Sequence, residues 1–136
     1  MTTIRLLLLA LLVLLSATPA GAIDFTVSGA VLTVTYTEPA TNTDGSPLTD
    51  LARTNVYTEM LLPGQAPVKG PNVAASASTG GGAISTTITV PIGAALPIKE
   101  ANVKVWATAT DASGNEGPPS NVVTKRVDQL APSAPN

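Results

Sequence analysis

From Ile23 onward, apolar and polar residues alternate with a period of two in several short runs, each closed by glycine, proline, asparagine or aspartate. That period belongs to β-strands with one buried face. The clearest run begins at Asn102. Val103, Val105, Ala107 and Ala109 fall on one face and Lys104, Trp106, Thr108 and Thr110 on the other. Turn residues follow between Asp111 and Pro119, and a second strand runs on to Arg126. Val31 to Thr37 reads as another strand, with Leu32, Val34 and Tyr36 inward and Thr33, Thr35 and Thr37 toward water. Arg53 to Leu61 gives a third, with Thr54, Val56 and Thr58 inward and Asn55, Tyr57 and Glu59 outward. Ile84 to Val90 repeats the alternation, and Ile23 to Val27 is a short edge strand.

The connections are predicted from turn chemistry. Ala40 to Asp50 is too long for a tight hairpin and is expected to cross between two sheets, with Leu48 or Leu51 plugging the end. Pro67 and Pro71 confine the segment from Gln65 to Ser78 to an edge strand or irregular structure, because proline donates no amide hydrogen bond. Thr79 to Ala83 reads as a mobile connection. Its glycines could cradle a phosphate, but neither a Lys-Ser/Thr pair nor a helix-forming stretch follows. Pro91 to Glu100 crosses back, with Ile92, Leu96 and Ile98 as candidate plugs. About seven short strands, evenly spaced turns and no amphipathic helix predict an all-β, immunoglobulin-like Greek-key β-sandwich.

The N-terminus has a different pattern. Arg5 precedes an unbroken apolar run from Leu6 to Leu15, followed by small residues ending in Ala20-Gly21-Ala22. This is the layout of a secretory signal peptide over residues 1–22. The run of ten is short of the roughly 20 residues a membrane span needs. No membrane insertion is expected after cleavage, and the product is expected to be secreted, extracellular or retained in a periplasm or at the cell surface. The domain then covers residues 23–127, with a proline-containing tail or linker over 128–136.

Composition narrows the chemistry. There is no cysteine and no histidine, which removes disulfides, thiolate nucleophiles and the commonest general base and transition-metal ligand. Without Arg5, six basic residues face nine acidic ones, a formal charge of −3 that argues against nucleic acid. Asp111-x-Ser113-x-Asn115 spells the start of a calcium loop, but Val122 stands where a bidentate glutamate is needed, so turn chemistry is the expected role. Asp44 and Asp50 share a loop and are expected to be solvated carboxylates. No catalytic residue, cofactor or metal site is expected. The one candidate binding patch is Tyr57 with Trp106, both outward on strands expected to be neighbours; cross-strand packing is the alternative role for the pair. Lys125 and Arg126 are expected to form a solvated, charged edge that discourages strand pairing.

Several patches resemble the fibronectin type III family. Thr33 to Pro39 looks like the family's second strand, with Tyr36 where a tryptophan usually precedes the proline by three residues. Val56-Tyr57 is similar to its third strand, although Arg53-Thr54 replaces the usual Gly-Tyr pair. Ala107 to Asn121 is similar to its sixth strand and the hairpin into the seventh, and Asp128 to Pro135 resembles an inter-domain linker. Val103 stands where the family usually has a corner tyrosine, so apolar packing must hold that sandwich end, which is expected to be less rigid. The resemblance implies a non-catalytic module that binds a protein or polysaccharide, or spaces other modules. A monomer is expected. A subunit of an extracellular or cell-surface assembly and an accessory domain of a carbohydrate-active enzyme are the alternatives.

Overall fold

Seven antiparallel strands form two facing sheets in a computed structural model that describes residues 22–92 and 98–135. The signal peptide expected over residues 1–22 and the candidate plug Leu96 lie outside the described residues, apart from Ala22. The strands are β1 Asp24–Ser28, β2 Val31–Thr37, β3 Leu51–Met60, β4 Val68–Ala74, β5 Ala83–Thr89, β6 Glu100–Asp111 and β7 Val123–Asp128. The three-stranded sheet has the order β1-β2-β5 and the four-stranded sheet β4-β3-β6-β7. The loop after β2 therefore crosses between sheets, as its length predicts, and Leu48 and Leu51 are both buried at its end.

The core lies where the inner faces meet. Phe25, Leu32, Val34 and Tyr36 from one sheet face Val56, Val103, Val105, Ala107 and Val127 from the other, all buried. The period-two alternation decides this: a register shifted by one residue would turn every threonine of β2 inward. Tyr36 is the one core aromatic with a polar end, and its hydroxyl shares a 2.6 Å hydrogen bond with Thr54 Oγ1. Ile92 is buried at the opposite end and Ile98 is half-buried. Val103, at the tyrosine-less corner, is fully buried.

The segment after Pro67 takes the edge-strand form, one of the two that its prolines allow: it is β4, with a register shift between Asn55↔Asn72 and Tyr57↔Lys69. The shift is a bulge that accommodates Pro71, and Gly70 sits there because a Cβ would come within 2.9 Å of the Val56 carbonyl oxygen. Asn55 lies on the outer face as expected, yet it is fully buried, because other side chains close over it. The tail starts one residue later than predicted, since Asp128 completes β7 opposite Glu100. Lys125 is more than a solvated charge: its ammonium pairs with Asp24 at 2.6 Å, donates to the Phe25 carbonyl and stands 5.1 Å from the centre of the Phe25 ring. It closes the seam between β1 and β7. Arg126 pairs with Glu100 and with Asp128.

The glycine-rich connection is also tied down where mobility was expected. Glu38 is 1% exposed, and its carboxylate accepts hydrogen bonds from the Ser76 amide at 2.9 Å, the Gly82 amide at 3.2 Å and the Ser76 hydroxyl. A buried carboxylate is costly unless its lone pairs are used, and here three donors meet it. Gly80 has φ +62° and packs so closely on Pro39 that a side chain would overlap the Pro39 carbonyl. Replacing the carboxylate in Glu38→Gln turns charge-assisted bonds into neutral ones and sets an amide NH2 against protein donors. The expected loss is about 2–3 kcal/mol of stability in urea denaturation, with the m-value unchanged.

Candidate functional site

The outer face of the four-stranded sheet carries the candidate patch. Its centre is the β3–β6 ladder, whose register places Arg53 opposite Thr110, Asn55 opposite Thr108, Tyr57 opposite Trp106 and Glu59 opposite Lys104. Alternation puts all eight on the same side. Glu59 and Lys104 form a 3.5 Å ion pair. Tyr57 and Trp106 stack with ring centroids 5.5 Å apart and an interplanar angle of 4°. The β3–β4 register adds Lys69, whose ammonium lies 5.7 Å from the Tyr57 centroid on the neighbouring strand. Lys69, Tyr57 and Trp106 thus form a row across three strands, with both rings half-buried.

The sequence-predicted pair is therefore brought together, and directly. Sequence reasoning missed the polar cluster beside it. At the end of β6, Asp111 accepts from the Asn115 amide at 2.9 Å and from its side-chain amide at 2.8 Å, closing a turn that Gly114 completes at φ +90°. The expected turn role of these residues is what the geometry shows. The chain then doubles back along β6: Glu116 bridges to Thr110, the Gly117 amide bonds the Ala109 carbonyl at 2.8 Å, and the Ser120 amide bonds the Ala107 carbonyl at 2.8 Å. This return lays the Glu116 carboxylate over the sheet.

There Oε1 accepts from the Tyr57 hydroxyl at 2.8 Å, from the Asn55 side-chain amide at 3.3 Å and from the Thr108 hydroxyl, while Oε2 lies 3.8 Å from Lys69. The Asn55 amide also reaches Thr110 Oγ1 at 2.9 Å. These contacts explain why Asn55 and Thr110 are buried on a face that the alternation assigns to water. Asn55 Oδ1 and Arg53 Nε are buried without a protein partner among the described residues. Tyr57, Asn55 and Thr108 were legible as outward residues. Glu116 was not, because its position depends on a loop folding back on its own strand.

The hydrogen bonds from Thr108 and Tyr57, with the charge of Lys69, hold the Glu116 carboxyl below its ordinary value of 4.5. Asp111 is likewise lowered by its bonds from Asn115, and Asp44 by bonds from the Ser46 hydroxyl and amide. The shallow groove of about 390 Å³ that holds both Asp111 and Glu116 thus contains two carboxylates stabilised as anions. The larger groove of about 440 Å³, between β4 and β5, has Lys69 as its one titratable lining residue among the described residues. Neither groove offers a carboxylic acid held protonated near neutrality, which glycoside cleavage needs as its proton donor.

Two predictions follow from this geometry. A double-mutant cycle of Tyr57→Leu and Trp106→Leu is expected to give a coupling of about 0.5–1.5 kcal/mol, the worth of an aromatic pair beyond its burial. A coupling near zero would remove the stack as a stabilising contact. A depressed folded-state pKa contributes stability that is complete above the unfolded value and lost as pH falls through the folded one. The stability gap between wild type and Glu116→Gln is therefore expected to be constant above about pH 5 and to close as pH drops below 4.5. Urea melts at several pH values read this directly.

No family model and no curated protein matches the chain. Among solved structures it is similar to the third fibronectin III domain of human KIAA0343 protein, determined in solution, with a TM-score of 0.51 and 12% identity over 87% of this chain and 86% of that one. At such identity the likeness speaks to architecture, and with the seven strands in two antiparallel sheets it gives this chain a fibronectin type III-like fold.

Proposed function

We propose that the chain is an exported, non-catalytic module that meets a protein or polysaccharide partner through the outer face of its four-stranded sheet. The observation that carries this reading is the row of Lys69, Tyr57 and Trp106 held beside the Glu116 cluster. Aromatic side chains on a pre-ordered sheet lose little rotamer freedom on binding and offer both apolar area and polar edges. Val122, which immediately precedes β7, is 52% exposed and adds apolar surface beside the β6–β7 ladder. The lowered carboxylates and the absence of histidine and cysteine support a non-catalytic role.

The second reading is a spacer between other modules. It is favoured by the way Tyr57 is engaged, with Trp106 stacked on it and Lys69 over the ring, so that the pair serves the sheet itself. Capture experiments with the folded protein from the native secretome separate the two. A partner retained by wild type and weakened roughly tenfold or more by Trp106→Ala supports the binding face, since a central aromatic commonly contributes 2 kcal/mol or more. Retention of that partner by a folded Trp106→Ala protein at wild-type strength would move the contact elsewhere. Recovery of no specific partner would favour the spacer.

A further inference from the structure

The sandwich exposes edge strands, and all but one carry a device that discourages pairing with another chain. β4 has its bulge, Lys69 and Pro71. β7 carries Lys125, Arg126 and Asp128. β1 is five residues long and is joined across the seam to Lys125 through Asp24 and Phe25. β5 has none of these. It contains no proline and no charge, and it pairs with β2 over all seven residues without a bulge. The sequence has no charged residue anywhere from Gly70 to Ile98.

The hydrogen-bond phase of β5 is fixed by its two ends. The Glu38 amide bonds the Gly82 carbonyl and the Val90 amide bonds the Ala30 carbonyl, each at 2.9 Å. Hydrogen-bonded pairs alternate along an antiparallel ladder, so Ile84, Thr86 and Ile88 turn their backbone groups toward β2. Ala83, Ser85, Thr87 and Thr89 turn theirs toward the open edge, and all four residues are exposed.

We propose that this edge is a self-association site, at which β5 of a second copy of this chain pairs antiparallel about a two-fold axis through Thr86. Of the symmetric registers the phase allows, this one keeps all seven residues of each β5 in the pairing. Ser85 then faces Thr87 of the second copy, and Ala83 faces Thr89, in the hydrogen-bonded pairs. Ile84 faces Ile88, and Thr86 faces its own copy, in the non-hydrogen-bonded pairs. Every pair is thus apolar with apolar or hydroxyl with small, and β-branched residues meet across the new ladder. No like charges meet on the axis, although a net charge of −3 per processed chain would otherwise oppose two copies. The added strand also covers the groove between β4 and β5, where Val68 is 61% exposed. A two-fold contact closes on itself, so it makes a six-stranded sheet and a dimer and does not build a filament. One paired strand on each side is a small interface, and the association is expected to be weak and concentration-dependent. This surface is on the other sheet from the proposed partner face and does not rest on that reading.

The chain has no cysteine, which makes the geometry directly testable on protein produced from the whole reading frame. On the proposed axis the two residue-86 Cα atoms are about 4.5 Å apart, within disulfide range. Thr86→Cys is expected to form a covalent dimer under mild oxidation at least roughly tenfold faster than Ser85→Cys, whose thiol faces Thr87 and not its own copy. In sedimentation the unmodified protein is expected to shift from monomer toward dimer as concentration rises. Thr87→Pro removes only an outward amide and is expected to weaken that shift roughly tenfold or more while Trp106 fluorescence reports an intact fold. Equal cross-linking of the two cysteine variants, self-association unchanged by Thr87→Pro, or a monomer at all concentrations would each overturn the proposal. So would a monomer that takes up a foreign extended peptide at this edge.

Discussion

The β3–β6 ladder is the contact on which both sides of the structure depend. These are the two longest strands, paired nearly end to end at the centre of the larger sheet. Their inner faces supply Val56, Val103, Val105 and Ala107 to the core. Their outer faces supply Asn55, Tyr57, Trp106 and Thr108 to the polar-aromatic surface. The backbone that fixes one set therefore fixes the other. A surface carried on a central pair of strands is more rigid than one carried on loops, because its geometry changes only if core packing also changes.

The core itself is lean. Phe25 is the single phenylalanine, and β-branched residues and leucine fill most of the rest. Such a core gains little from aromatic burial, and polar groups secure several points that packing leaves weak. The Tyr36–Thr54 hydroxyl bond joins the sheets internally. Glu38 locks the loop from β4 to β5, and Lys125 closes the β1–β7 seam. These interactions differ in kind. Asp24 is exposed and Lys125 keeps more than a third of its side chain in water, so their attraction is partly screened and modest. Glu38 is buried, so its worth lies in satisfied hydrogen bonds, and removing its donors would leave a desolvated charge uncompensated.

Strand identity was legible because a strand's two-residue period is a local property of the chain. β2 and β3 bury the residues that their alternation selects, β6 buries all of them except the half-buried Ala109, and β5 buries Ile88 while Ile84 and Thr86 stay half-buried; the fold class follows from the number and spacing of such runs. The Tyr57–Trp106 contact was legible as a neighbour relation once strand order was assumed, and the register makes it exact opposition. What could not be read depends on partners far away in sequence. Glu38 and Ser76 are 38 residues apart, and Asn55 and Glu116 are 61 apart. No local pattern tells a solvated glutamate from one that gathers three donors, or an outward asparagine from one that a returning loop will bury. β4 was obscured for a different reason. Its proline and glycine are poor strand residues in isolation, and they are tolerated because they sit at a bulge on an edge.

Charge divides the two sheets unevenly, and this bears on what each can do. Asp24 is the only charged residue in β1, β2 and β5, whereas in the larger sheet β3, β6 and β7 each carry both signs and β4 carries Lys69. Bringing another surface against the smaller sheet displaces water chiefly from hydroxyl, methyl and backbone groups, whose desolvation is cheap when new hydrogen bonds form. Doing the same on the larger sheet means desolvating carboxylates and ammonium groups that already serve one another. A contact there must be complementary in charge and shape to be favourable, so that sheet suits selective recognition. The smaller sheet's edge sets a weaker condition, an extended backbone with small side chains in the right phase. A second β5 meets that condition by symmetry, and it does so without occupying the face on which Trp106 and Glu116 stand.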